Sequence, residues 1–230
     1  MNQIITLFDR MDTWRHFPNY QLERRADIFF SLYLSEVLEA KLGFPIRAEL
    51  TPEFPIRIGT IYPEIPIDKS YKIDYLALSE DAETAVLVEL KTEGLSRRAG
   101  QDKYLTASQK VGLACLLRGL LDIFRASTSK RKYYSLLLHL ETIRLLSLPQ
   151  KFKDIMGSST LQGVIEASQE IQITAKTTNT IVVYVQPNGT ESDIISFPFF
   201  AEVVRTHNDQ ISQRFATSLC EWAEIPAGEK

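Results

Sequence analysis

The chain contains 230 residues, of which 44% are hydrophobic and 24% are charged. These values are ordinary for a globular protein, and the length fits one large domain. No apolar run approaches the ~18 residues that a membrane-spanning helix needs, and the first residues lack the basic and apolar segments of a signal peptide. Two cysteines, Cys115 and Cys220, argue against a disulfide framework and favour a reducing compartment. We therefore expect a cytoplasmic protein without a membrane partner.

Charge is unevenly distributed along the chain. The formal net charge is −3, yet residues 91–132 include ten basic and three acidic residues, which leaves −10 for the remainder. A local positive region suits a polyanionic substrate. For the stretch from Lys110 to Arg125, a solvated helix face is the alternative interpretation.

The N-terminal part of the chain predicts two helices. Residues 1–20 predict a short amphipathic helix followed by an irregular arm. Residues 23–42 predict a long helix that ends at Gly43. A helical projection of the second helix puts Glu36 near the centre of an apolar face and Glu39 toward its edge. A carboxylate in such a position needs a buried partner. The apolar face is predicted to contain Ile28, Phe29, Leu32, Tyr33, Val37 and Ala40.

Two apolar arms that follow a proline-rich segment predict a β-hairpin. The prolines within residues 45–66 predict an interrupted outer strand and a loop. The arms, residues 72–78 and 85–91, flank a short polar turn. With Ser79 opposite Thr84, the alternation of strand side chains puts Asp74 opposite Glu89, with Lys91 on the same face.

This hairpin predicts a divalent-cation site. Carboxylates that face each other repel, and their burial without partners is costly. Mg²⁺ or Mn²⁺ would resolve both problems, because hard cations take oxygen ligands and also bind substrate phosphates. Lys91 would then neutralise charge, orient a water or contact a phosphate. The alternatives are a salt bridge at the end of a solvent-facing hairpin, or an interaction protein in which Arg97 or Arg98 pairs with the carboxylates.

The rest of the chain predicts further helices and strands. A loop after Lys91 leads into a long helix over residues 101–124, and residues 133–140 predict a buried strand. Beyond that point we expect a helix over 150–170, a strand over 171–174, a hairpin of 180–186 with 193–197 across an Asn-Gly turn, and a helix over 199–222.

Asp74, Glu89 and Lys91, together with this order of elements, resemble the PD-(D/E)XK nuclease superfamily and its RecB-like branch. The resemblance covers roughly residues 23–140, and Ile73 stands where the superfamily's name has Pro. It implies an α/β protein with a restriction-endonuclease-like αβββαβ core, in which helices flank a mixed central sheet, plus a C-terminal extension. We therefore expect a single domain over 1–230, with an N-terminal arm at 1–22, the nuclease-like core at 23–140 and the extension at 141–230.

The resemblance also implies roles for individual residues. Glu36, on the helix before the sheet, would complete or buffer the metal site, and the Leu90 carbonyl would be a further metal ligand. Gln101 and Tyr104 would support the site and contact substrate, although their spacing is one residue shorter than in the family. The remaining expected substrate contacts are Arg97, Arg98 and Lys103.

The activity that the resemblance implies is divalent-metal-dependent hydrolysis of phosphodiester bonds in nucleic acid, with DNA as the expected form. Asp74 and Glu89 would hold Mg²⁺ or Mn²⁺, and Lys91 would position the attacking water. The alternative is a non-catalytic nucleic-acid-binding or regulatory module on the same fold. The sequence leaves the substrate form and the oligomeric state open, with a homodimer among the options.

Overall fold

A computed structural model describes residues 3–65, 67–92 and 99–223, with side chains from residue 102 onward in the last range. The helices are α1 (Gln3–Trp14), α2 (Leu22–Leu42), α3 (Ile58–Ile61), α4 (Ala99–Ala126), α5 (Lys130–Thr142), α6 (Gln150–Gly157), α7 (Val164–Gln169), α8 (Phe197–Val204) and α9 (Gln210–Ala223). The strands are β1 (Thr51–Arg57), β2 (Ser70–Leu78), β3 (Thr84–Leu90), β4 (Leu146–Ser147), β5 (Gln172–Ile173), β6 (Asn179–Gln186) and β7 (Ile194–Ser196).

A five-stranded mixed sheet with flanking helices confirms the α/β class. Its strand order is β1-β2-β3-β6-β7, and β4 pairs separately with β5. β1 pairs antiparallel with β2, whereas β6 pairs parallel with β7. The predicted outer strand is confirmed, because β1 lies at the edge of the sheet. The more specific restriction-endonuclease-like fold stays a prediction.

The chain divides into two compact units, each built from separated segments. The first unit comprises Met1–Leu50, Val88–Asp102 and Val182–Lys230. The second unit comprises Thr51–Leu87 and Lys103–Ile181. Each unit thus contains residues from both the predicted core and the predicted extension, and the single-domain organisation stays a prediction.

The core of the first unit is aromatic and joins the N-terminal helix to the C-terminal one. Phe8 of α1 and Phe215 of α9 have ring centroids 6.0 Å apart. Asp12 of α1 accepts a hydrogen bond of 2.8 Å from Trp222 Nε1, and Arg214 donates to Asp9 at 2.8 Å. Helix α1, which precedes the predicted irregular arm, therefore packs into the core of the first unit.

Two helix boundaries follow from glycine at positive φ. Gly43 adopts the left-handed conformation with φ of 76° and ends α2, as the sequence predicts. Gly112 has φ of 75° and ψ of 161°, which interrupts the predicted long helix α4. Beyond the break, the Leu113 amide donates to Thr180 Oγ1 at 3.2 Å, and a polar cavity of about 410 Å³ lies there. α4 is therefore two helices joined at Gly112.

The strand predicted over residues 133–140 is wrong, because this segment belongs to helix α5. Its buried residues include Leu137 and Leu140, which recur at the three-residue spacing of a helix face. The apolar run Tyr133 to Leu140 is too short for periodicity alone to distinguish a helix from a buried strand. The sheet strand beside β3 is β6, much later in the chain.

The hairpin predicted for residues 180–197 is also wrong, since β6 and β7 run parallel with Tyr184 paired to Ile194. The connection is held by long-range contacts, including a 3.0 Å hydrogen bond from Asn188 Nδ2 to the Ala223 carbonyl. Gly189 has φ of 140°, and a Cβ there would approach Ile194 to 2.7 Å. Tertiary contacts therefore override the local turn preference of Asn-Gly.

Candidate functional site

The candidate site lies where β3 ends, in the first unit. The strand is apolar and buried through most of its length, as expected for a central strand. Its pairing continues one residue further, because the Lys91 amide donates to the Val185 carbonyl of β6 at 2.8 Å. Side chains two residues apart on a strand share a face. Glu89 and Lys91 therefore lie side by side.

Three oxygen atoms surround the ammonium group of Lys91. Its Nζ lies 2.8 Å from Glu89 Oε1 and 2.8 Å from the Leu90 carbonyl oxygen. Glu23 Oε2 lies 3.8 Å away. Only 6% of the Lys91 side chain and 4% of the Glu89 side chain are exposed. The structure thus brings together three residues that the sequence singled out, Glu89, Leu90 and Lys91, around one buried positive charge.

Glu23 is a member of this group that the sequence analysis missed. It lies in the first turn of α2, where a carboxylate is favoured by the positive end of the helix dipole. That preference is the one signal its position offers, and it does not link the helix to a strand more than sixty residues away. The long-range contact becomes visible only in the folded chain.

Glu36 does not join Lys91. It lies 13 residues after Glu23 on the same helix, which is roughly 20 Å along the axis. Its side chain is 54% exposed and its Oε2 lies 2.8 Å from His207 Nε2. The predicted apolar face with Glu36 at its centre is wrong, because Ile28 and Leu32 are exposed. The buried residues of α2 are Leu22, Ala26, Phe30, Tyr33, Leu34, Val37 and Leu38.

Asp74 is half-buried on β2 in the second unit. The turn after β2 has the predicted anchor, because the Ser79 amide donates to the Thr84 carbonyl at 2.9 Å. The Thr84 amide in turn donates to Ser79 Oγ at 2.9 Å. The opposition of Asp74 and Glu89 stays a prediction.

Of the expected substrate contacts, Tyr104 is buried beneath another tyrosine. Its ring stacks on Tyr71 with centroids 4.5 Å apart and an interplanar angle of 8°. Its hydroxyl donates to the Lys72 carbonyl at 3.5 Å. Tyr71 is 38% exposed, so it is the accessible member of the pair. Lys103 is also exposed. Arg97, Arg98 and the side chain of Gln101 lie outside the described residues.

The carboxylate of Asp102, also in the first unit, anchors the start of α4. Tyr184 on β6 donates its hydroxyl proton to Asp102 Oδ1 at 2.8 Å. Tyr184 precedes Val185, whose carbonyl accepts the Lys91 amide. The sequence analysis counted Asp102 only in the charge balance. Its contact fixes the beginning of the helix relative to the strand that borders the site.

Several residues of the basic segment have structural roles. Lys130 Nζ donates to the carbonyls of Arg125 at 2.9 Å and Ser127 at 2.7 Å, where α4 ends. Arg131 donates to the Met156 carbonyl at 3.0 Å. Arg125 bonds the Ser168 carbonyl at 3.0 Å. Some basic residues of this segment therefore bind carbonyl groups at helix ends, whereas others, such as Lys103, are exposed to solvent.

Within residues 3–65, 67–92 and 99–223, no group of three or more His, Cys, Asp or Glu side chains is arranged to hold a metal ion. In the same part of the chain, no helix is both long and apolar enough to cross a membrane. Comparisons with protein-family models, curated proteins and solved structures gave no match. A functional proposal therefore depends on the geometry around Lys91.

Proposed function

We propose that this chain is a divalent-metal-dependent phosphodiesterase that acts on nucleic acid, with DNA as the expected substrate. The observation that supports the proposal most is the convergence of Glu89 Oε1 and the Leu90 carbonyl oxygen on one cation, the Lys91 ammonium, at 2.8 Å each. Oxygen atoms that meet at one buried point are the ligand type that Mg²⁺ and Mn²⁺ require.

Two carboxylates, those of Glu23 and Glu89, face the Lys91 ammonium. Glu23, Glu89 and Lys91 together carry one net negative charge near a buried strand end. A buried ion pair gives little stability, because desolvation opposes the Coulomb attraction. The turn contact between Ser79 and Thr84 supports an unbroken antiparallel ladder. Such a ladder pairs Asp74 with Glu89 and adds another carboxylate.

The proposed ligands are the carboxylates of Asp74 and Glu89 and the Leu90 carbonyl, with Glu23 taking the place that the resemblance gave to Glu36. All are oxygen donors, and Glu23 and Glu89 already face a common cation. The metal would supply a Lewis acid and lower the pKa of a bound water. The Lys91 ammonium, released from Glu89 and Leu90 when these bind a metal, would position that water or stabilise charge on the phosphate.

Calorimetric titration with Mn²⁺ tests the ligand set. Asp74→Asn and Glu89→Gln should abolish binding. Lys91→Ala should bind Mn²⁺ at least as tightly as the wild type, because it removes the cation that competes for Glu89 and Leu90. Glu202→Gln, which changes an exposed carboxylate of the first unit, is the matched control and should bind normally.

Cleavage of labelled single-stranded, duplex and branched DNA and of RNA with Mn²⁺ tests the activity. All three site variants should lose cleavage, including Lys91→Ala, which retains the metal. A wild type that binds no Mn²⁺ would refute the enzyme. If Asp74→Asn and Lys91→Ala cut DNA as well as the wild type, the activity stands and the site assignment fails.

The same contacts favour one alternative, a non-catalytic nucleic-acid-binding or regulatory module. The Lys91 ammonium already binds Glu89 and the Leu90 carbonyl, so Glu89 and Lys91 form an internal ion pair. In that case the protein binds nucleic acid equally well with and without Mn²⁺ and cleaves none of the substrates.

A further inference from the structure

The outward face of α2 carries an apolar pair flanked by opposite charges. Arg25, Ile28, Leu32, Glu36 and Glu39 are all exposed, and at about 100° per residue they fall within an arc of about 80°. The buried face of α2 lies on the other side of the helix. Ile28 and Leu32 are 62% and 58% exposed, more than the other large apolar side chains found exposed in the described residues.

Ile28 and Leu32 are adjacent on the surface of α2. Residues four apart on a helix are direct neighbours, so Ile28 and Leu32 form one continuous apolar patch rather than two scattered side chains. Isolated exposed apolar residues are common, whereas a contiguous patch with a charged border indicates an interaction surface. The patch lies at the middle of the helix, away from both ends.

The charges on this face are ordered along the helix and complement themselves. Arg25 lies toward the N-terminus of α2, and Glu36 and Glu39 lie toward its C-terminus. The helix dipole favours the reverse order, with acidic groups at the N-terminus. Arg25 and Glu39, in the first and last turns, are therefore unfavourable for the dipole of their own helix, whereas Glu23 and Lys41 follow the favoured order. An antiparallel second copy of α2 would set each basic end beside an acidic end and also oppose the two dipoles.

We propose that α2 is the interface of a homodimer in which two copies of the helix pack antiparallel about a two-fold axis. Ile28 of one copy contacts Leu32 of the other near the axis, and Arg25 of one copy pairs with Glu36 of the other. Such an isologous interface uses the same patch on both copies. One helix pair lies at the low end of interface sizes, and we expect a weak dimer that dissociates at concentrations of about 1 to 100 μM. This inference is independent of the proposed enzyme activity.

Sedimentation velocity of the full chain, from low to high concentrations of roughly 1 to 100 μM, measures the association. The wild type should shift from monomer to dimer, and Leu32→Glu should remain monomeric. Ile65→Glu, which changes an exposed isoleucine of the second unit, is the matched control and should dimerise. A wild type that stays monomeric at every concentration overturns the proposal. A Leu32→Glu variant that still dimerises overturns it as well.

A charge-swap experiment tests the antiparallel arrangement. Arg25→Glu alone and Glu36→Arg alone each place like charges opposite one another and should weaken self-association by about tenfold or more. A mixture of the two variants should form a heterodimer, because both contacts are then pairs of opposite charge, one as in the wild type and one with its sign reversed. Because Glu36 contacts His207, thermal melts confirm that both variants are folded. A mixture that associates no better than either variant alone overturns the arrangement.

Discussion

Lys91 Nζ lies 2.8 Å from Glu89 Oε1, and both side chains are almost fully buried. Desolvation makes such a pair a weak source of stability, and apolar residues of similar volume would serve the fold as well or better. The pair stands at the end of an otherwise apolar strand. Its net contribution to stability should therefore be small, whereas the loss of one member alone should be costly.

Removing one member of the pair should cost more stability than removing both charges. Lys91→Met leaves the Glu89 charge buried without its ammonium, and we expect the free energy of unfolding to fall by about 3–5 kcal/mol. The double variant Glu89→Gln/Lys91→Met should recover most of this loss. Urea unfolding measures both values, with the exposed Lys110→Met as control. Equal losses in the single and double variants would show that the pair is not coupled.

Glu23, rather than Glu36, should contribute to metal binding. Glu23 Oε2 lies 3.8 Å from Lys91 Nζ, whereas Glu36 lies roughly 20 Å further along α2. We expect Glu23→Gln to weaken Mn²⁺ binding by about tenfold or more, because it removes one carboxylate charge from the proposed ligand set. Glu36→Gln should leave the calorimetric dissociation constant unchanged. The opposite result would restore the role that the family resemblance gave to Glu36.

The sequence was informative where a local pattern suffices. The helix that ends at Gly43 and the hairpin arms around Ser79 and Thr84 follow from turn residues and periodicity, and both are present. The pairing of Glu89 with Lys91 follows from the two-residue period of a strand. These features depend on neighbours in the sequence, which is why no knowledge of the tertiary fold was needed.

The errors lie where distant contacts decide. The α5 segment has an apolar run that suits a strand, yet Leu137 and Leu140 are buried on a helix. The Asn188-Gly189 sequence suits a hairpin turn, yet β6 and β7 pair in parallel. The Asn188 side chain instead donates to the Ala223 carbonyl at the end of α9. The contact of Glu23 with Lys91 joins the first turn of α2 to the end of β3. The short apolar run of α5 does not distinguish a helix from a strand, and the other two features depend on contacts between residues that are distant in the sequence.

Glu141 should stabilise the fold in a pH-dependent manner. Burial raises the pKa of its carboxyl, but the hydrogen bond and charge of Lys153 at 2.8 Å and the Leu148 amide at 2.9 Å outweigh this, so the pKa is lower than usual. A carboxyl with a lowered folded-state pKa binds its proton more readily in the unfolded chain. Its stabilisation is therefore complete above the usual glutamate pKa and is lost as the pH falls through the lowered value.

The test compares the wild type with Glu141→Gln. At pH 7 the variant should be less stable by about 1 kcal/mol, because a partly buried ion pair and one charged hydrogen bond are weakened. The difference should shrink as the pH falls below about 4.5. Urea unfolding across this range measures it, and Glu166→Gln, an exposed carboxylate on α7, controls for general acid effects. A difference that grows in acid would contradict the lowered pKa.

Tyr71 should contact the bases of a nucleic-acid substrate. One face of its ring stacks on the buried Tyr104 at 4.5 Å, and the residue remains 38% exposed. Stacking of a base on an aromatic ring contributes about 1–3 kcal/mol, so Tyr71→Ala should weaken single-stranded DNA binding by about fivefold to a hundredfold. Tyr71→Phe should bind normally, because it retains the ring. Fluorescence anisotropy without Mn²⁺ measures binding separately from cleavage, and Phe17→Ala, which removes an exposed ring of the first unit, is the control. Normal binding by a folded Tyr71→Ala variant would exclude Tyr71 from the substrate contacts.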